Sequence, residues 1–220
     1  MSAVCANGDL VTCNAFGEAS HRLCRHGCDP AGTACVIPPC PAEMRLIDEL
    51  EVCIDRYEAS HGPSGEALAV KGAMPWVFVS YAGAEAACEL AGKRLCTEEE
   101  WVAACAGPQH NDYPFGYIYD PTACNGIDSP LGGLVPTGTA PRCEGGYSGI
   151  FDMGGNAMEL TSACDGEGAC KAYGGDYGAD AYSMLCTAFN VASPHPPQAA
   201  DGGAEPAGYG SLGFRCCLAP

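Results

Sequence analysis

The chain has 220 residues and a formal net charge of −17, from 27 acidic residues against 10 lysines and arginines. That balance argues against nucleic acid and anionic lipid as partners, since both need a basic face; it leaves solubility, calcium or a cationic partner as what the acids serve. Hydrophobic residues at 47% and ten tyrosines exclude a disordered chain, while 30 glycines and 17 prolines describe a loop-rich fold with few exposed amphipathic helices.

Seventeen cysteines are scattered along the sequence, and C-x2-C never occurs. The spacing is wrong for structural zinc and right for disulfides formed in an oxidising compartment. An odd count leaves at least one thiol free or paired between chains. No export leader precedes Cys5, so the chain is expected to start after a removed leader, with Met1 an added start, and to work in an extracytoplasmic setting: secreted, periplasmic or at the cell surface. No apolar run reaches the ~18 residues of a membrane span.

Residues 1–41 form a small cysteine-rich module and linker. Six cysteines, Cys5, Cys13, Cys24, Cys28, Cys35 and Cys40, staple short β-like runs broken by Asn-Gly and Gly turns. A module this small buries too little surface to fold without bridges. His21 and His26 lie near Cys24 and Cys28 and read as solvated loop histidines in preference to metal ligands. The segment 36–41, VIPPCP, is a stiff linker.

The main domain occupies 42–220. MRLIDELEVCIDRYEAS reads as a hairpin, and PWVFVS (75–80) as a strand feeding a helix. Residues 80–107 read as two short helices. Ser80 caps the first and Gly92 stops it; Thr97 and Glu100 form a capping box for the second, with Glu98, Glu99 and Glu100 at the positive end of its dipole. Each helix buries one cysteine, Cys88 and Cys105. Further on, Cys124 and Cys143 flank a Gly/Pro-rich excursion, Cys164 and Cys170 close a small loop, 193–207 is a Pro/Ala/Gly-rich mobile loop, and YGSLGFRCC ends the chain as a strand. In GIFDMGGNAMEL, Asp152, Asn156 and Glu159 offer oxygens around the tight curl of Gly154-Gly155, a donor set suited to calcium or to an ordinary hydrogen-bonded turn.

Three motifs and a Gly-Gly pair occur in a telling order: PWVFVSYAGAEAACELAGKRLCTEEEWVAAC, then GIFDMGGNAMELTS, then GG at 174–175, then GFRC at 213–216. Over roughly 42–220 the chain resembles the formylglycine-generating enzyme (sulfatase-modifying factor) family. The resemblance implies a loop-rich α+β domain of C-type-lectin-like fold, disulfide-stapled and calcium-bound. It implies the bridges Cys88–Cys216 and Cys105–Cys186. Cys96 stands where the family has a proline, and is expected to pair with Cys53. The family's calcium ligands fall on Asp152, the carbonyls of Gly155 and Ala157, and Glu159; a second calcium site would begin at Asn125, where the acidic loop is shortened.

The enzymes of this family oxidise a substrate cysteine with O₂ and hold Cu(I) between two cysteines that precede the last structural one. Here that interval, DYGADAYSML (176–185), is shorter and has no cysteine. Met184 is a soft donor, but one thioether does not replace two thiolates, and it reads as a buried core residue. Met158 and Leu160 replace the family's tryptophans. Copper is therefore not expected, and no catalytic residue is assigned. The expectation is a non-catalytic, calcium-stabilised binding or structural module. Its ligand, a protein, peptide or glycan, would meet a groove bordered by Asp176, Tyr177, Asp180 and Tyr182 and the 193–207 loop. The alternative is a copper-dependent oxidase acting on a sulfatase cysteine, with a thiol pair drawn from Cys217 and another unpaired cysteine. A Ser–His or Cys–His hydrolase has little support, because His61, His110 and His195 all sit in apparent loops.

Overall fold

A computed structural model describes residues 2–14, 19–24, 26–165, 168–192 and 210–219. The chain divides into two compact units, one running to Cys40 and the other Pro41–Ala219.

The first unit is an antiparallel sheet of β1 (Ser2–Ala6), β2 (Asp9–Cys13) and β3 (Ala19–Leu23) in sequence order. Asn7 and Gly8, both at positive φ, make the first turn, as expected for a two-residue Asn-Gly hairpin. The bridges Cys5–Cys28 and Cys24–Cys35 cross behind it. The Sγ atoms of Cys5, Cys24 and Cys28 crowd together because the two bridges cross, and bonded sulfurs are not thiolate ligands. His21 Nδ1 meets Asp9 Oδ2 at 2.8 Å in solvent.

The second unit is built on two four-stranded sheets. One has the order β4 (Met44–Ile47), β5 (Val52–Asp55), β13 (Cys216–Leu218), β8 (Arg94–Leu95). The other has the order β11 (Phe189–Ala192), β10 (Cys170–Tyr173), β9 (Met158–Cys164), β12 (Leu212–Phe214). A two-stranded ribbon pairs β6 (Ser60–His61) with β7 (Ala67–Leu68), and two helices, α1 (Tyr81–Leu90) and α2 (Glu98–Ala106), complete the unit. The expected hairpin at 44–55 is β4–β5. The expected strand at 75–80 is absent: the segment stays irregular, with Phe78 at φ 60°. Trp76 gives the reason. Its backbone N–H donates to the Ala59 carbonyl, its ring stacks on His61, and it meets Phe214 edge-on, so the segment is fixed by side chains and not by a ladder.

Both helices end as their residues dictate. The Ser80 hydroxyl accepts from Gly83 N–H. Gly92, at φ 71°, lets Lys93 N–H reach the Cys88 carbonyl and Gly92 N–H the Glu89 carbonyl, a Schellman ending. On α2 the capping box is complete: Thr97 Oγ1 accepts from Glu100 N–H while the Glu100 carboxylate accepts from Thr97 N–H. Trp101, Ala104 and Cys105 on α2 enter a core with Ile47, Ile54, Ile150 and Met153; Ala84, Ala87 and Cys88 on α1 enter another with Leu160, Leu212 and Phe214.

The C-terminal segment joins the two halves. It pairs with β9 in parallel through Phe214, and then, past Arg215, lies antiparallel between β5 and β8. Where the sequence suggests one terminal strand there are two short ones, and Arg215 is the residue at the change of sheet.

Candidate functional site

Because Cys216 and Cys217 are neighbours on a strand, they point to opposite faces. Cys216 is bonded to Cys88 of α1, and Cys217 to Cys96, just before α2. The expected Cys53–Cys96 pair is thus corrected: Cys96 follows directly on β8, whose Arg94 and Leu95 lie opposite Cys217 and Cys216, so Cys217 is the sulfur within its reach. Cys53 is itself disulfide-bonded. Cys105–Cys186, Cys124–Cys143 and Cys164–Cys170 complete the bridges described for this unit. Of the seventeen cysteines only Cys13, on β2 of the first unit, is free.

Arg215, just before the two cysteines, is fully buried. Its Nε donates to Glu159 Oε2 at 2.6 Å and its Nη2 to Glu159 Oε1 at 2.5 Å. Nη1 donates to the Asp55 carbonyl and Nη2 also to that of Phe151. Trp101 Nε1 adds a third bond to the same carboxylate, at 2.6 Å on Oε2. One oxygen of Glu159 is therefore filled, and the other keeps a lone pair beside Arg215.

The loop 152–157 curls beside this pair with Asp152, Gly155 and Asn156 all left-handed, at φ 59°, 71° and 61°. Asp and Asn tolerate that region better than other side chains. Only glycine fits at 155, because a Cβ there would lie 2.2 Å from the Asn125 carbonyl oxygen. Asn156 is the hub. Its Nδ2 donates to Glu58 Oε2 and to the Val135 carbonyl, and its Oδ1 accepts from Asn125 Nδ2 and Val135 N–H. Glu58 Oε1 accepts from Ala157 N–H at 2.9 Å. Asp152 Oδ2 accepts from Gly138 N–H at 2.6 Å.

Sequence reasoning missed Glu58. It lies about a hundred residues from the loop it holds, and nothing in IDRYEAS distinguishes a buried glutamate from an exposed one. With Glu58, Asp152 and Glu159 buried together and Arg215 as their one buried cation, two acids lack a buried counter-charge, with Lys71 the further cation acting on Asp152. Burial raises the Glu58 carboxyl well above the usual range, and the neighbouring charges of Asp152 and Glu159 raise it further. Burial likewise lifts Asp152 to about 6.

Asn125, the expected start of a second calcium site, bridges to Gly155, and its Oδ1 is buried with no hydrogen-bond partner among the described residues. The carbonyls of Gly155 and Ala157 likewise accept no described hydrogen bond. The carboxylates do not converge: among the described residues the only trio of Cys, His, Asp or Glu ligand atoms within 4.8 Å is the bonded cysteine group of the first unit. A cation here would rely on carbonyl and amide oxygens as much as on acids, which suits calcium.

The residues expected to line a ligand groove are only partly gathered. A cavity of about 380 Å³ is lined by Asp176, Ser183, Asn190, Met158 and Leu212 among others, but not by Tyr177, Asp180 or Tyr182. Asp176 is half-buried, its oxygens accepting from Ser211 Oγ and Gly178 N–H. Asp180 is exposed and accepts from the N–H and hydroxyl of Ser183, while Tyr177 and Tyr182 are exposed. The 193–207 loop lies outside the described residues. Met184 is buried with Ala179 against the Cys124–Cys143 bridge; its methyl group would overlap any side chain at Gly126, so it fills the space against that glycine.

Two sheets tied through a bent terminal strand, with two short helices and long disulfide-stapled loops, define the mixed α/β, C-type-lectin-like class to which the structural neighbours belong. PvdO from Pseudomonas aeruginosa has 18% identity and a TM-score of 0.53, over 76% of this chain and 79% of that one. The P3c variant of the major tropism determinant has 13% identity and a TM-score of 0.55, over 96% and 63%. Residues 44–219 match the Sulfatase-modifying factor enzyme 1-like domain, and the chain belongs to that family. Two curated relatives, each described as an inactive C-alpha-formylglycine-generating enzyme 2, from Mus musculus and Bos taurus, are 34% identical over 113 residues, 46% of this chain and 36% of theirs. The chain thus spans about a third of the length of the curated relatives it matches.

Proposed function

We propose that this protein is a non-catalytic, extracytoplasmic member of the family, a calcium-stabilised module that binds a protein, peptide or glycan. The observation that carries this reading is the state of its sulfur. Every cysteine of Pro41–Ala219 is in a disulfide, Cys217 included, and the one free thiol, Cys13, belongs to the other unit. Cu(I) held by two thiolates has no donor pair in this domain, and Met184 is enclosed by apolar neighbours. The curated relatives are described as inactive, which points the same way. Sixteen bonded cysteines suit an oxidising compartment, and no helix among the described residues is long and apolar enough to cross a membrane.

In this reading calcium would be held by Asp152, the carbonyls of Gly155 and Ala157, and Glu159, the positions the family resemblance implies. The support is the surplus of two buried acids and the unsatisfied Asn125 Oδ1 beside them. Bound there, the ion supplies positive charge and no chemistry. Glu58 and Asn156 orient the carbonyls; Arg215 holds Glu159.

The test is a thiol count on the oxidised protein, followed by copper loading and incubation with a cysteine-bearing sulfatase peptide while O₂ uptake is recorded. One thiol per chain and no uptake above the protein-free control are expected. Sustained uptake with formation of formylglycine would overturn the proposal.

A further inference from the structure

A cavity of about 760 Å³ in the second unit shares no lining residue with the Asn156 loop or the Asp176 groove. It runs along the outer face of α2, opposite Trp101 and Cys105. Glu99, Val102, Ala103 and Ala106 recur there at helical spacing and all line it. The apolar positions make the floor. Three carboxylates stand around them: Glu98 and Glu99 from the first turn of α2, and Glu49 from the β4–β5 turn.

No lysine or arginine lines this cavity, and its one basic residue is His110. A neighbouring cation, Lys171, is already committed. Lys171 Nζ donates to both oxygens of Glu98 at 2.9 Å and lies over the Phe189 ring, and the Tyr173 hydroxyl donates to the same carboxylate. Glu49 and Glu99 are exposed and neither is in an ion pair among the described residues, Glu49 standing beside the Tyr147 hydroxyl. Five of the eight lysines and arginines of this unit, Lys93, Arg94, Arg142, Lys171 and Arg215, are engaged with carboxylates of the chain itself; Arg45, Arg56 and Lys71 make no ion pair among the described residues, and none of them lines the cavity.

We infer that this groove docks a basic segment of a partner protein, an extended stretch in which lysines or arginines flank an aliphatic residue. The aliphatic side chain lies on Val102, Ala103 and Ala106, and the flanking cations reach Glu49 and Glu99. Fixed by Lys171 and Tyr173, Glu98 sets the wall between them. A volume near 760 Å³ lies within the roughly 300–1,000 Å³ of clefts that enclose drug-sized ligands, room enough for a few side chains. Long cationic stems also lay their methylenes on apolar surface while the charge stays in water, which suits a floor of small aliphatic residues under exposed acids.

The experiment titrates the full chain with Ac-Lys-Val-Arg-Leu-Lys-amide, following ¹⁵N amide shifts and heat. The acidic counterpart Ac-Glu-Val-Glu-Leu-Glu-amide and spermidine are run in parallel. Shifts centred on 97–110 and 162–163 are expected with the basic peptide alone. The double substitution Glu49→Gln/Glu99→Gln should weaken it about tenfold, and high salt should weaken it further. Ala103→Trp, which fills the floor without changing charge, should abolish binding, whereas Glu89→Gln on exposed α1 should leave it unchanged. Near-ultraviolet circular dichroism checks that each variant is folded. The inference is overturned if the basic peptide fails to bind or shifts residues elsewhere. It is equally overturned if spermidine binds as tightly, or if Glu89→Gln costs as much as the double substitution.

Discussion

Arg215 and Glu159 face each other through two parallel hydrogen bonds with side chains 0% and 1% exposed, and their partners reach into both sheets. A buried pair of this kind is weak evidence of net stabilisation, since desolvation of the two ions offsets much of their attraction. Breaking it is another matter. Arg215→Met would leave Glu159 buried with only the Trp101 N–H, among two further acids, and should cost about 3–5 kcal/mol in denaturant unfolding. Arg215→Met combined with Glu159→Leu removes both charges and should recover a large part of that loss. If the double variant is as unstable as the single one, the arginine acts through its bonds to the Asp55 and Phe151 carbonyls and not through the ion pair.

The two bridges at Cys216 and Cys217 make a second prediction, in which loop length decides the size. Cys96–Cys217 spans 121 residues, and closing a loop of that length alone would be worth about 5 kcal/mol on the chain-entropy account. But Cys88–Cys216 already brings the same regions together. The extra loop closed by the second bridge runs only from Cys88 to Cys96 and from Cys216 to Cys217, about ten residues. Cys96→Ala/Cys217→Ala should therefore cost about 2–3 kcal/mol with the neighbouring bridge intact. A loss near the long-loop value would mean that the two bridges do not share their constraint.

The sequence is most legible where structure is local. The capping box at Thr97, the glycine ending at Gly92 and the hairpin at 44–55 follow from residues within a turn of one another. The chemistry of Asn156 and its neighbours is less so, because its partners arrive from Glu58, Asn125 and Val135, and no spacing announces them. Cys96 shows the same limit: sulfur chemistry says that it will bond, while its partner depends on which strand lies beside β8. PWVFVS has the apolar content of a strand, yet Pro75 lacks an N–H and Trp76 is held by His61 and Phe214, so tertiary contacts override its β propensity.

Gly155 allows a direct test of how tightly the loop is built. Gly72 and Gly155 both lie at positive φ, 81° and 71°. A methyl group at Gly72 meets nothing, so Gly72→Ala should cost only the left-handed strain, about 1–2 kcal/mol. At Gly155 the same methyl would sit 2.2 Å from the Asn125 carbonyl oxygen, which must move and take the Asn156 hub with it. Gly155→Ala should cost about 3 kcal/mol or more, with thermal unfolding as the measurement. Equal losses at the two sites would show that the contact with Asn125 yields easily.

Calcium binding carries the last prediction, and its sign follows from the surplus charge. An ion that binds the folded chain and not the unfolded one stabilises it by about 2.7 kcal/mol at a hundred times its Kd, so excess calcium should raise Tm by several degrees over protein kept in EGTA. Asp152→Asn keeps an acceptor for Gly138 N–H and removes one of the two acids that lack a buried counter-charge. The variant should therefore be more stable than the parent in EGTA and gain less from calcium. These two shifts have opposite directions and separate charge from packing: a simple packing defect at Asp152 would lower Tm in both buffers. Identical unfolding of the parent chain with calcium and with EGTA would instead mean that Glu58 and Asp152 are accommodated by shared protons, with no ion in the loop.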